Sequence, residues 1–145
     1  MPYLYKSPAK VNLFLNILRK RKDGYHDIQS IFQLIDLQDE IIFKKRNDCR
    51  INLKCNLKSL EQDNLIIKAI NIYSKISKIE NIGLDVTLKK NIPIGSGLGG
   101  GSSNAATTLL ALNEIYDHKV KLPSLYKAAL SIGSDVPFFL NAKNS

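Results

Sequence analysis

Between Ala9 and Ile17 apolar residues recur at every second position: Ala9, Val11, Leu13, Leu15 and Ile17 on one side, Lys10, Asn12, Phe14 and Asn16 on the other. Successive side chains of an extended chain point to opposite faces, so this period predicts a strand with Lys10 and Asn12 as same-face neighbours. A polar loop, Arg19 to Gly24, separates it from a second predicted strand, Ile28 to Leu37. Glu40 to Lys45 and Arg50 to Cys55 predict two further strands, joined as a hairpin around Asn47-Asp48. The period then lengthens. Asp63-Asn64 precede an apolar stripe of Ile66, Ala69, Ile70, Tyr73 and Ile76, which predicts a capped helix. Leu84, Val86 and Leu88 alternate with Asp85, Thr87 and Lys89, a strand again. A second helix carries Ala105, Leu109, Leu112 and Tyr116, with Ser102, Ser103 and Asn104 as candidate N-caps. A third runs from Pro123 to Ile132, with Pro early and Gly133 in the C′ position. The sum is an α+β domain over residues 1–145, an antiparallel-rich sheet with helices on one side.

Between the strand at 84–89 and the second helix lies Pro93-Ile94-Gly95-Ser96-Gly97-Leu98-Gly99-Gly100-Gly101-Ser102-Ser103. Five glycines leave the main chain free to enter left-handed conformations and to approach a ligand closely. The helix that follows turns unpaired N–H groups and its positive dipole end toward the same point, an arrangement that binds phosphate. A flexible linker would not run directly into a capped, amphipathic helix. The loop is not a Walker A motif, because no lysine follows Gly101. Gly95, Gly97 and Gly100 have dinucleotide-fold spacing, yet Asp117 comes after a helix rather than after a second strand.

Composition narrows the class. The 145 residues suit one domain, and 44% hydrophobic with 23% charged residues is ordinary for a soluble protein. No apolar run approaches the roughly 18 residues of a membrane span, and Met-Pro-Tyr-Leu-Tyr-Lys lacks a signal-peptide core. Cys49 and Cys55 lack metal-site spacing and read as free thiols of a cytoplasmic protein. A net charge of +8 admits nucleic acid, but the lysines are spread along the chain, and the excess suits an anionic small molecule better. We therefore expect a small-molecule substrate, with no nucleic acid and no membrane.

Three further places hold polar residues in unusual company. Lys10 lies in an apolar strand, so it reaches solvent at an edge or faces a polar cleft. In Asp23-Gly24-Tyr25-His26-Asp27, Tyr25 can stack on a flat ligand and His26 can hydrogen-bond a base edge. In Gly133-Ser134-Asp135-Val136-Pro137, Asp135 is either the cap of a short helix or a carboxylate against an apolar wall, able to take a proton.

Taken in order, Ser7-Pro8-Ala9-Lys10-Val11-Asn12-Leu13, Asp23-Gly24-Tyr25-His26, Asp63-Asn64-Leu65-Ile66, the loop 93–107 and Ser134-Asp135-Val136-Pro137-Phe138-Phe139 resemble the GHMP kinase family. The Tyr-His pair resembles the branch that phosphorylates the 2-hydroxyl of 4-(cytidine 5'-diphospho)-2-C-methyl-D-erythritol in non-mevalonate isoprenoid precursor synthesis. Ser96 and Ser134 depart from the glycine and alanine usual there. The resemblance implies the GHMP kinase N-terminal fold, similar to a ribosomal protein domain and containing a left-handed βαβ unit. It implies ATP wrapped by residues 93–103, with Mg²⁺ accompanying the nucleotide through protein ligands that the motifs do not name. Asp135 would take or orient the acceptor hydroxyl proton, and Lys10 would pair with it and stabilise transition-state charge. Asn12 would hold the methylerythritol end, and Tyr25 and His26 the cytosine. Family members carry a second, C-terminal domain, absent from these 145 residues, so the chain alone is expected to have little kinase activity. Another GHMP small-molecule kinase, or a non-catalytic RNA-binding module, remains an alternative at this point.

Overall fold

The computed structural model describes residues 1–141. Strands β1 (Tyr3–Lys20), β2 (His26–Lys45), β3 (Ile51–Cys55) and β4 (Leu84–Lys89) form one sheet in the order β1-β2-β4-β3. Among the described residues four α-helices and a 3-10 turn at Lys58–Leu60 accompany it: α1 (Leu65–Ser77), α2 (Gly100–Ile115), α3 (Leu122–Ile132) and α4 (Val136–Leu140). β1 and β2 are antiparallel from Tyr3↔Phe43 to Lys20↔His26, and β2 and β4 are antiparallel from Glu40↔Lys89 to Lys45↔Leu84. β3 and β4 are parallel and joined through α1, a βαβ unit.

The expected hairpin around Asn47-Asp48 does not form. β4 takes the edge of β2 that β3 would need, and β3 pairs with the outer edge of β4 instead. The segment after β2 is drawn across the start of β4: the Arg46 N–H donates to the Gly83 carbonyl and the Leu84 N–H to the Arg50 carbonyl. Gly83 permits that approach, since a Cβ there would lie 1.7 Å from the Asp48 carbonyl oxygen. The Arg46 guanidinium clips the crossing by donating to both Asp48 carboxylate oxygens at 2.7 Å and to Asp85 at 2.8 Å.

Ile28–Leu37 and Glu40–Lys45 belong to a single strand interrupted by a bulge: Pro8 pairs with Gln38 and Ala9 with Ile35. Pro8 has no N–H to give the ladder, and register breaks of this kind re-aim side chains. Further breaks at Asn12/Phe14 and Ile17/Arg19 destroy the simple alternation of β1. Ala9 and Lys10 are both buried, whereas Leu13, Leu15 and Ile17 are 59–63% exposed on a hairpin that projects from the core.

The core lies on one sheet face. Ile41, Phe43, Leu84, Val86 and Leu88 are buried, while Ile42, Lys44, Asp85 and Thr87 between them are not. α1 adds Ile66, Ala69, Ile70 and Tyr73, each fully buried, with Asn64 alone as its N-cap, accepting from the Ile66 N–H at 2.9 Å. Each buried Ile or Leu contributes roughly 1.5–3 kcal/mol of transfer free energy. α2 is buried on nearly every side, which its small residues Ala105, Ala106 and Ala111 allow. Its turn to α3 is anchored by Asn113, whose amide exchanges hydrogen bonds with Val120 N–H and C=O at 3.0 Å while accepting from the Tyr73 hydroxyl. α3 begins at Leu122 with Pro123 in its first turn, and Gly133 ends it in extended rather than left-handed conformation. Among the described residues no helix is long and apolar enough to cross a membrane.

Candidate active site

The glycine loop joins β4 to α2. Its helix starts earlier than the Ser102–Asn104 caps suggested: Gly99 is the N-cap, in left-handed conformation (φ 72°, ψ 21°), and Gly100 is the first helical residue. Gly99 tolerates that φ, and only a residue without Cβ fits, because a Cβ would stand 2.9 Å from Phe139 Cζ and 3.1 Å from Lys10 Cε. The first intrahelical bond runs from the Ser103 N–H to the Gly99 carbonyl. The amides of Gly100, Gly101 and Ser102 therefore point out of the helix start, without intrahelical acceptors, at the positive end of the α2 dipole. They border a cavity of about 340 Å³ lined by Pro93 through Ser102 and, from outside the loop, by Leu60, Asp63, Asn64, Leu65, Lys90 and Asn104.

Lys10 lies against this loop. Its backbone N–H, on the free edge of β1, donates to the Leu98 carbonyl at 2.9 Å. Its ammonium donates to the Gly97 carbonyl at 3.1 Å and to Asn12 Oδ1 at 2.9 Å, and sits 3.9 Å from Asp135 Oδ2. The Phe32 ring, 4.7 Å from Nζ, walls the ammonium, and Phe138 packs edge-on against that ring. The Lys10 side chain is 5% exposed and that of Asp135 40%, so the carboxylate faces the open side of the pair. Asp135 is the N-cap residue of α4 but its side chain caps nothing, so of its two readings the capping one fails.

The structure thus brings together Lys10, Asn12, Asp135 and residues 93–102. Ser103 is turned away: its hydroxyl is buried 2.9 Å from Ser7 Oγ, which also donates to Asn104 Oδ1 at 2.8 Å, tying β1 to the first turns of α2. Tyr25 and His26 lie at the hairpin end, where His26 pairs with Lys20, ten positions along β1 from Lys10. That is on the order of 33 Å of strand path. Tyr25 is 73% exposed there.

Two residues at the loop escape a reading of the sequence. Asp39 is fully buried, and it accepts from Lys90 Nζ at 2.5 Å and from the Asn91 and Ile92 amides at 2.7 and 2.8 Å. Lys90 counts in the sequence as one more solvated lysine. The available signal was an acid, Asp39, wedged between the apolar runs of β2.

Among the described residues no three His, Cys, Asp or Glu side chains are grouped as for a metal ion. Mg²⁺ keeps several waters and is commonly held by one or two carboxylates plus substrate phosphates. Two carboxylates, Asp63 on the cavity lining and Asp135 beside Lys10, fit an ion that arrives with a polyphosphate.

Comparison with known proteins gives a consistent picture. Residues 64–143 match the model of the GHMP kinases N terminal domain. The chain is 46% identical over 142 residues to a 4-diphosphocytidyl-2-C-methyl-D-erythritol kinase of Francisella tularensis subsp. novicida, covering 97% of this chain and 52% of that protein. It is 52% identical over 137 residues to the protein of the same name from Prochlorococcus marinus subsp. pastoris, covering 93% and 44%. The chain spans about half the length of the curated relatives it matches. A crystal structure of 4-(cytidine 5'-diphospho)-2C-methyl-D-erythritol kinase superposes with a TM-score of 0.83 at 36% identity, covering 98% of this chain and 49% of that one. The Methanococcus jannaschii mevalonate kinase shares the fold at a TM-score of 0.68 and 23% identity, covering 91% and 46%.

Proposed function

This chain belongs to the GHMP kinase family through its N-terminal domain, and from that membership we propose that it forms the nucleotide-binding half of an enzyme that transfers phosphate from ATP to the 2-hydroxyl of 4-(cytidine 5'-diphospho)-2-C-methyl-D-erythritol. The observation that carries the reading is the convergence of an ammonium, a carboxylate and a row of unpaired amides on one loop. The names of relatives 46–52% identical support the choice of acceptor.

Phosphoryl transfer asks a protein mainly for positioning and charge compensation. The N–H groups of Gly100, Gly101 and Ser102 hold the ATP phosphates in the cradle, and the apolar side chains of Leu60 and Leu65 offer the base a wall. When bound, Mg²⁺ neutralises charge between the phosphates. Asp135 accepts the proton of the acceptor hydroxyl as its oxygen bonds to the γ-phosphorus and the bond to the ADP leaving oxygen breaks. Lys10 stabilises the charge on the transferring group and is aimed by the Gly97 carbonyl and Asn12. Asn12 keeps its Nδ2 donors for the methylerythritol hydroxyls. Tyr25 and His26 reach the cytosine only with the bulged hairpin curled toward Lys10 in the substrate complex, and the remaining half of the enzyme covers the exposed apolar positions there, closing the cleft against water. The free thiols Cys49 and Cys55 suit a cytoplasmic enzyme.

The test is Asp135→Asn in the complete enzyme. Turnover should fall on the order of 10²-fold or more, the scale of a positioned acid or base, with ATP affinity nearly unchanged. Full turnover would remove Asp135 from the chemistry.

A further inference from the structure

The sheet ends where the phosphate loop begins, and a buried ion pair lies at that junction. Glu40↔Lys89 is the last pair between β2 and β4, so the amides after Lys89 have no strand partner. The Asp39 carboxylate replaces that partner: Oδ1 accepts from both the Asn91 and Ile92 N–H, and Oδ2 accepts from Lys90 Nζ. Three consecutive residues leading into the loop are thus tied to one fully buried side chain. The Lys90 ammonium, its side chain 6% exposed, lies where a Cβ on Gly100 would come within 2.6 Å of it. It borders the cavity beneath the first turn of α2.

On its own this placement is unfavourable. A cation beside a helix N-terminus meets the positive end of the dipole, and both charges of the pair have lost their water. The Asn91 and Ile92 amides need an acceptor, which a neutral amide could supply, so the fold alone does not call for a charged pair here. An anion in the cradle changes the balance, because it adds negative charge beside the ammonium. We infer that Asp39 is a positioning residue for nucleotide binding: it sets where the loop leaves the sheet and holds the Lys90 ammonium under the phosphate cradle. The inference rests on the reading of the cradle as an ATP site, and it adds a second cation, beside Lys10, whose place depends on a carboxylate that touches no ligand.

The experiment is calorimetry of a non-hydrolysable ATP analogue with Mg²⁺ on the wild-type chain, Asp39→Asn, Lys90→Met and the double variant, with circular dichroism establishing that each is folded. Asp39→Asn keeps the shape and an oxygen acceptor for the two amides but loses the charge. It should weaken binding about 10-fold or more, and the double variant should lose no more than the worse single one, as groups acting as a unit do. A folded Asp39→Asn that binds within about twofold of wild type would confine Asp39 to the fold and overturn the inference alone. A wild-type chain that binds no analogue would overturn the ATP-site reading itself. Should Asp39→Asn not fold, amide exchange in the wild type decides. The Asn91 and Ile92 amides should slow on analogue saturation by about 10-fold more than those of Ala128 and Ala129 in α3, and equal slowing would overturn the inference.

Discussion

Replacing Gly99 by Ala tests how tightly the cradle is built. Gly99 has φ 72° and ψ 21°, where an L-residue costs about 1–2 kcal/mol. Stiffening of the unfolded chain returns about 0.4–1 kcal/mol. The decisive part is space. The new methyl would stand 2.9 Å from Phe139 Cζ, 3.1 Å from Lys10 Cε and 3.2 Å from Phe139 Cε2. Phe139 is 3% exposed, and Lys10 is held by hydrogen bonds to Asn12 and Gly97, so neither yields easily. Overpacking of this kind costs about 1–3 kcal/mol. Gly97→Ala is the matched control: it has φ 76° but nothing within 4 Å of its Cβ position. The two variants share the conformational cost, and only Gly99→Ala carries the packing cost. For a chain of this size 1 kcal/mol moves Tm by roughly 3–4 °C. Thermal unfolding followed by circular dichroism should therefore place Gly99→Ala roughly 3–10 °C below Gly97→Ala. Equal midpoints would refute the packing of Lys10 and Phe139 against the loop.

Two predictions concern pH. Burial first, then the Glu114 carboxylate, pushes the Tyr5 phenol up to about 12, and burial followed by Tyr116 does the same for Tyr73. The unfolded chain releases those protons near pH 10, so the stability they confer is complete below pH 10 and is lost between 10 and 12. Tyrosinate absorbance should show Tyr5 and Tyr73, with Tyr116 that burial also raises, titrating after the rest and together with unfolding, and Tyr73→Phe should flatten the alkaline loss; ordinary titration of all six tyrosines near pH 10 would contradict it. At the other end, hydrogen bonds from Arg46 hold the Asp48 carboxyl far below the usual carboxylate range, and Asn52 and then Arg46 lower that of Asp85. Depressed carboxyls stabilise above about pH 4 and lose that contribution as pH falls through the folded values. Urea midpoints should fall more steeply between pH 5 and pH 2 in the wild type than in Arg46→Met, and parallel slopes would dismiss the clip.

What the sequence reveals here is what local chemistry decides. The alternation of Leu84, Val86 and Leu88 and the stripe of Ile66, Ala69, Ile70 and Tyr73 answer to their own neighbours, and both elements form as read. The glycine loop, Lys10 and Asp135 were legible for the same reason, since each is a residue type out of keeping with its surroundings. Strand order was not. Which edge β3 takes depends on Gly83 admitting the Asp48 carbonyl and on Arg46 reaching Asp85, contacts between segments far apart in the chain. The phase of β1 was misjudged because bulges at Pro8 and beyond shift side chains between faces, and a two-residue period cannot register an inserted residue. Asp39 and Lys90 escape the sequence because a buried pair is a property of two elements meeting, and an acid between the apolar runs of β2 does not name its partner.

The central claim is that the start of α2 grips a polyphosphate with Lys10 alongside. Its most direct test is a nitrogen–proton NMR titration of the chain with the Mg²⁺ complex of a non-hydrolysable ATP analogue. The account predicts that the largest shifts fall on the amides of Gly99, Gly100, Gly101 and Ser102 and on Lys10, and that Lys10→Met weakens the binding. Saturable binding that leaves those amides unmoved while perturbing another face would contradict it.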